Sequence, residues 1–495
     1  MSDAFDCDVL IVGLGPVGAA LAALLSRRDV STIAIEKETG VYPLPRAAHF
    51  DHEVMRIFQE LGIAHDLAAC AQPAPAYEFR ARDGQVLLRM ESAHTSVSGW
   101  ASGYMFHQPD LERALRGLLA AAGNVEMRLG WVLRGLTQSA DGVAAQVDLP
   151  DGARTLRARY LVGCDGASSS VREALDIALE DYAFDEPWLV IDAVLSPGSR
   201  VPEVNLQICD PQRPTTCVLM GPGRHRWEFM LLPGEAPEQV LHDEFIEALL
   251  LPWDCGDITI ERRAVYRFHG LVARSWRDSR VLLAGDAAHQ TPPFAGQGMC
   301  SGLRDAANLA WKLAAVIKGH ASDRLLDTYQ DEREPHARAL IELAIEMGRV
   351  VCTLDPDAAR RRDGDMLARR AEGQPGLPPS RPAPISKGCV LADSAAAGML
   401  FPQTIAPDGA KLDDALGEGP WLITGAEQKP PCNGVTVFDL NEQRLAPFRA
   451  AIARWMDKTG ASAVLVRPDR YVFGAGEARA LVSAWTAAMQ RGNEK

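Results

Sequence analysis

Between Arg280 and Asn308 the chain sets an acidic side chain, a rigid turn and a helix start beside one another. An apolar strand, Val281 to Ala284, runs into Gly285-Asp286; a loop carrying Pro292, Pro293, Gly296 and Gly298 follows, and a long helix begins near Met299. A carboxylate such as Asp286 can hold hydroxyl groups, and the positive end of a helix can stabilise a negatively charged ring or phosphate. A second set lies far upstream, where Gly13-x-Gly15-x-x-Gly18 follows the apolar run 7–12 and opens a small-residue helix. Those glycines give a tight turn, close backbone approach to a pyrophosphate, and close packing of helix on strand. Gly13, Gly15, Pro16 and Gly18 are therefore candidate dinucleotide contacts. Glu36, with Lys37 beside it, ends the next strand 18 residues after Gly18, where a carboxylate can accept from an adenosine ribose. An acidic residue there does not distinguish FAD from NAD. The third set is Gly163-Cys-Asp165-Gly166 with Arg172 after it, preceded by a strand. The competing assignment for it alone is a surface turn capped by Asp165.

The elements that must position these residues follow from periodicity. Strand 7–12, turn 13–18, a helix to Arg27 and strand 32–36 make one βαβ unit. Helical patterns cover His52–Leu61 and Pro109–Ala122, and alternating strands fill 125–162. Residues 184–274 read as antiparallel strands broken by one helix near 237–250, a β-rich insert. Helices return at 299–317 and 322–351. Prolines and glycines crowd 373–384, a linker, and 385–495 alternates strands with helices.

At 495 residues the chain is too long for one core, and 47% hydrophobic with 23% charged residues is the composition of a globular protein. Lysine and arginine (51) against aspartate and glutamate (65) leave −14, which disfavours nucleic acid and anionic membranes as partners. The uncharged run Val9–Leu25 follows Asp3, Asp6 and Asp8 and contains ordered glycines, so it reads as part of the nucleotide unit and not as a signal or membrane span. Ten cysteines lack CxxC or zinc spacing, so reduced thiols, no metal and a cytoplasmic location are expected.

With the three motifs in this order, the chain resembles the single-component FAD-dependent aromatic hydroxylases, the class A flavoprotein monooxygenases, over about residues 5–350. The segments from Pro45, Phe106 and Gly296 resemble the 3-(3-hydroxyphenyl)propionate hydroxylase and phenol hydroxylase branch. The resemblance implies an α/β fold: a Rossmann-like FAD-binding domain of glutathione-reductase type (1–183 and 275–372), an inserted β-sheet substrate domain (184–274), the linker 373–384 and a small thioredoxin-like C-terminal domain (385–495) without a redox role. It also implies FAD as cofactor, NADH or NADPH and O2 as co-substrates, and hydroxylation of a phenolic ring through a flavin C4a-hydroperoxide. In the family pattern Asp286 meets the ribityl chain, Arg46 lies near the pyrophosphate, Gln108 touches the ribityl region, and Asp165 serves FAD and NAD(P)H. Gly285 belongs to the same cofactor-binding motif as Asp286, and Pro293, Gly296, Gly298 and Met299 lie in the segment that resembles the lining of the flavin ring. A homodimer is a family-level expectation.

A phenol ionises near pH 10, so a base beside the substrate is expected. Asp51, flanked by His49 and His52, is the candidate; the competing assignment is N-cap of the helix starting at His52. His107 and His289 adjoin cofactor motifs and read as structural. Arg224, Arg226 and Arg267 could hold a substrate carboxylate or be solvated. Trp188, Leu206, Trp227 and Phe229 are pocket walls or sheet core. Two alternatives stay open: hydroxylation of a heteroaromatic (quinolone-type) or polyketide ring, and a FAD-binding reductase that does not oxygenate.

Overall fold

Cys7–Val12 is buried along almost its whole length, as a strand covered by helices on both faces must be. In the computed structural model, which describes residues 5–74, 76–92, 94–374, 376–377, 383–425 and 434–490, it lies at the centre of a parallel set. Thr32–Glu36 and then Val125–Leu129 flank it on one side, Gly152–Gly163 and then Val281–Leu283 on the other. Helices Pro16–Arg27 and Gly298–Ile317 pack on one another over this sheet. The register is what matters for chemistry. Val12 pairs with Gly163, and Gly163 with Leu283. The three glycine-bearing loops therefore leave the carboxyl ends of three adjacent parallel strands, the edge where open α/β sheets bind ligands.

A second, eight-stranded sheet stands beside this edge. Its long strands Leu179–Leu195 and Ile258–Ala273 pair antiparallel, followed by Arg224–Met230, Thr215–Leu219 and Asn205–Cys209. The sheet is completed by Ala76–Ala81 and Val86–Glu91, the first of which pairs parallel with Asn205–Cys209. Successive strand residues point to opposite faces. Trp227 and Phe229 join Leu206, Ile246 and Leu250 in a core under the helix Asp243–Leu250. Arg226 and Glu228 take the opposite face. The expected helix at 237–250 is thus two pieces, Pro237–Val240 and Asp243–Leu250.

The last part of the chain forms a four-stranded sheet, ordered Thr436–Asp439, Trp421–Thr424, Ala463–Val466, Val472–Gly476, with helices Arg449–Thr459 and Ala478–Gln490. Residues 375 and 378–382 of the expected linker lie outside the described residues. A buried ion cluster ties this sheet to the first. Arg467 meets Glu332 at 2.7 Å and Lys312 meets it at 2.9 Å, all three side chains being shielded from solvent. Desolvation alone would raise the Glu332 carboxyl, but Arg467 and Lys312 outweigh it and hold Glu332 down to about 2. Its folded value lies below the unfolded one, so the stabilisation is complete above about pH 4.5 and is lost as pH falls toward 2. Urea midpoints measured from pH 5.5 to 3 should fall for the wild type and change less for Glu332→Gln; parallel curves would refute the assignment.

Among the described residues, no helix is long and apolar enough to cross a membrane.

Candidate functional site

The first loop is built for close approach. Gly13 has φ +97°, and a Cβ there would sit 2.4 Å from the Cys164 carbonyl oxygen, so the first two glycine loops touch backbone to backbone. Gly15 faces open space, with nothing within 4 Å of where its Cβ would be. The helix Pro16–Arg27 starts there with no side-chain cap and no acidic residue in its first turn, which leaves its amide dipoles to an anion. Gly18 closes the turn against Gly13. Glu36 accepts from Leu14 N at 2.8 Å and from Glu38 N at 3.0 Å, while Lys37 is exposed beside it.

Gln108 shapes the next wall. Its Oε1 accepts from Arg46 N (2.9 Å) and Ala47 N (2.6 Å), and its Nε2 donates to Glu112 (2.7 Å). The Arg46 side chain is exposed, and its charge acts on Asp286. Asp286 sits on the turn Gly285–Ala287, reached by water yet ringed by protein, without a hydrogen bond among the described residues. That desolvation raises its carboxyl, against the pull of His289 and Arg46. Asp165 accepts from Ser169 Oγ (2.6 Å) and Val171 N (3.1 Å), the capping role, and burial raises it too.

The loop before the long helix reaches solvent: Pro293 is exposed, and Gly298 and Met299 are half-buried. Gly296 has φ +61°, and its carbonyl lies 3.2 Å from His49 Nδ1. Gly298–Ile317 has no acid in its first turn, which leaves its positive end to an anion or a negatively charged ring. Arg304, almost two turns in, reaches Gln297 Oε1 (3.2 Å), Glu53 (2.8 Å) and Asp51. Asp51 caps His52–Glu60 through Glu53 N and Val54 N, both 3.1 Å. Desolvation opposes its charge, but Arg304 and His52 outweigh that and hold the carboxyl far below the usual range. Glu53 in turn accepts from Tyr471 of the C-terminal sheet at 2.5 Å. Sequence reasoning missed Arg304 and Asp305. Asp305 accepts from Gly285 N (3.1 Å), contacts His289 Nε2 (2.7 Å) and accepts from Arg333 (3.0 Å), which fixes the Gly285-Asp286 turn. The available signal was two adjacent charges in a largely apolar helix. His52 contacts Ser98, and His107 contacts Asp110.

Beside the glycine loops, where Arg226 meets the Pro45 and Arg46 carbonyls, the second sheet offers a polar face. Arg226 is bidentate on Asp192 (2.6 and 3.0 Å) and donates to the Arg46 and Pro45 carbonyls (2.9 and 2.8 Å). Arg262 also lies on Asp192, at 3.4 Å. Arg224 pairs with Glu261 and Arg267 with Asp185. Arg226 and Arg262 thus share Asp192, and Glu228, 3.7 Å from Arg226, is the second carboxylate that stands against them. Of the four expected wall residues, Leu206, Trp227 and Phe229 belong to the far core, while Trp188 meets Phe294 edge-on at 5.6 Å. Behind the loop, Phe184 and Phe268 complete an aromatic box around Phe294.

The residues present fit a flavin dinucleotide: an open cradle at Gly15, an uncapped helix start, a carboxyl at Asp286 without a hydrogen bond among the described residues, and a second uncapped helix start at Gly298. Comparison with known proteins agrees. Residues 6–344 match the family described as FAD binding domain, and 435–491 match the HcaD C-terminal domain. The chain is 38% identical over 515 residues to a probable NADH-specific resorcinol 4-hydroxylase of Rhodococcus jostii (strain RHA1), covering 96% of this chain and 95% of that one. It is 34% identical to the 3-(3-hydroxy-phenyl)propionate/3-hydroxycinnamic acid hydroxylase of Mycolicibacterium smegmatis, covering 94% and 90%. The crystal structure of aklavinone-11 hydroxylase with FAD and aklavinone superposes with a TM-score of 0.78 at 25% identity, covering 98% of this chain and 99% of that one.

Proposed function

The chain belongs to the FAD-dependent aromatic hydroxylases, and from that membership we propose that its substrate is a small neutral phenol of the resorcinol type and its reductant NADH. The overall reaction is ring C–H + O2 + NADH + H⁺ giving ring C–OH + NAD⁺ + H2O. Bound FAD supplies the redox chemistry, taking electrons from NADH and activating oxygen; the protein binds, orients and excludes water.

The observation that carries the substrate class is the balance of charge on this face, where Arg226 and Arg262 stand against Asp192 and Glu228. A carboxylate-bearing substrate would enter a buried face with no cation to spare, and an uncompensated buried charge is expensive. A neutral diol meets no such penalty. On this reading Gly15 and the first helix start hold the pyrophosphate, Glu36 the ribose, and Asp286 the ribityl hydroxyls. The segments 1–183 and 275–372 carry the flavin and 184–274 most of the substrate face. Phe294 and its aromatic box keep water from behind the ring.

NADH and NADPH oxidation by FAD-loaded protein, with product masses, tests this. We expect resorcinol to stimulate NADH oxidation at least tenfold more than 3-(3-hydroxyphenyl)propionate, with a product one oxygen heavier. Equal or greater turnover of the propionate would overturn the neutral-phenol assignment.

A further inference from the structure

One carboxylate on the substrate-facing sheet has no task in the fold. Glu228 is 5% exposed, and its one ionic contact among the described residues is Arg226 Nη1 at 3.7 Å, too long for a hydrogen bond. Buried polar atoms are almost always hydrogen-bonded, so an exception asks for a missing partner. Its place supplies one. Glu228 lies beside Val190 on one neighbouring strand and Thr216 on the other, on the same face as Arg226. On the Arg226 side the face is anchored to the carbonyls of Pro45 and Arg46. On the Thr216 side a buried row runs toward the flavin loop: Thr216 Oγ1 donates to Gln207 Oε1 (2.7 Å), Gln207 Nε2 donates to Tyr77 OH, and Tyr77 OH donates to the Phe294 carbonyl (2.9 Å). Glu228 thus stands between the two points where the sheet grips the cofactor side, without a hydrogen bond among the described residues.

We infer that Glu228 is the base that takes the phenolic proton of the substrate, an inference resting on the neutral-phenol function above. The O–H bond of the phenol breaks, an O–H bond forms on Glu228, and the negative charge passes to the substrate oxygen. Net charge within the pocket is unchanged by the transfer. Arg226 and Arg262 bear two positive charges against the single one on Asp192, so the surplus that faced Glu228 then faces the phenolate. The resulting electron-rich ring is the form that attacks an electrophilic oxygen. Asp51, by contrast, is tied up as a helix cap and on Arg304. Desolvation raises Glu228 to about 7 although Arg226 pulls the other way, which suits a base at neutral pH. The titratable groups around it are Asp192, Arg226, Arg262, Tyr77 and Cys217.

The test is Glu228→Gln, with Glu228→Asp as the conservative partner, in the FAD-loaded full chain. Melting temperature and FAD content establish that each variant folds. Glu228→Gln should lower kcat/KM for resorcinol about 100-fold. It should also abolish the rise in rate around pH 7, and lose much less with a fluorinated resorcinol acidic enough to ionise unaided. Ultraviolet difference spectra should show resorcinol bound as phenolate at pH 8 by wild type and as neutral phenol by the variant; Glu228→Asp should recover part of each signal. An unchanged pH profile and an undiminished phenolate spectrum in Glu228→Gln, while wild type hydroxylates resorcinol, overturn the role of Glu228 and leave the function standing. Absence of hydroxylation of any phenol by wild type overturns the function, and the base with it.

Discussion

Arg304→Met should lower the unfolding free energy by roughly 3–5 kcal/mol, because it strands buried carboxylates rather than removing one contact. Arg304 lies between Asp51 and Glu53, and all three are nearly inaccessible to solvent. Breaking a buried pair from one side leaves the desolvation penalty of the other partners uncompensated. The same guanidinium holds Gln297, the residue that precedes the long helix at the flavin loop, and Glu53 holds Tyr471 of the C-terminal sheet. Loss of Arg304 therefore should loosen both the loop and the third sheet. Urea unfolding of the FAD-free chain measures the first effect, and hydrogen exchange over 292–300 the second. A triple variant, Arg304→Met with Asp51→Asn and Glu53→Gln, neutralises the stranded charges and should regain more than half of the loss. A single variant within 1 kcal/mol of wild type would mean the cluster is not what holds these elements together.

What could be read from the sequence divides along the same lines. The three glycine loops were legible because a turn that needs positive φ or close approach writes itself into adjacent residue types. Gly13 and Gly296 are cases in point. Asp51 was legible as a cap for a similar reason: an Asp before a helical pattern is a local signal. Its pairing with Arg304, 253 residues away, was not. The strand Arg224–Met230 shows charged and aromatic residues in alternation, so Arg226 and Glu228 on one face and Trp227 and Phe229 on the other follow from period two. Which face meets the flavin side depends on packing between sheets, and no local pattern states it. The same holds for Ala76–Ala81, which joins the second sheet beside Asn205–Cys209 across more than a hundred residues. Pro356–Ala371 was missed for a different reason. It carries an Asp355 cap and a proline start, but buries only Ala359 and Met366, so it lacks the apolar stripe by which helices are found.

Two single-methyl substitutions in the first glycine loop should separate folding from cofactor binding. At Gly13 the added Cβ meets backbone, the Cys164 carbonyl oxygen at 2.4 Å, in a conformation (φ +97°) that an L side chain rarely adopts. Nothing there can swing aside, since the obstacle is the main chain of the neighbouring strand's loop. Gly13→Ala should destabilise the FAD-free chain by roughly 2 kcal/mol or more, through strain and displacement of the loop that carries Asp165. At Gly15 the situation is reversed. Its φ of −68° suits alanine, and its Cβ would meet nothing within 4 Å. Gly15→Ala should leave the stability of the FAD-free chain within about 0.5 kcal/mol. The new methyl group then stands in the space assigned to the pyrophosphate, so the FAD dissociation constant should rise by one to two orders of magnitude, about 1.4–2.8 kcal/mol. Urea unfolding without FAD and fluorescence titration with FAD read the two effects separately. A Gly15→Ala protein that binds FAD as tightly as wild type would remove the pyrophosphate from this loop. A Gly15→Ala protein that unfolds as readily as Gly13→Ala would mean the open space at Gly15 is closed in the folded chain.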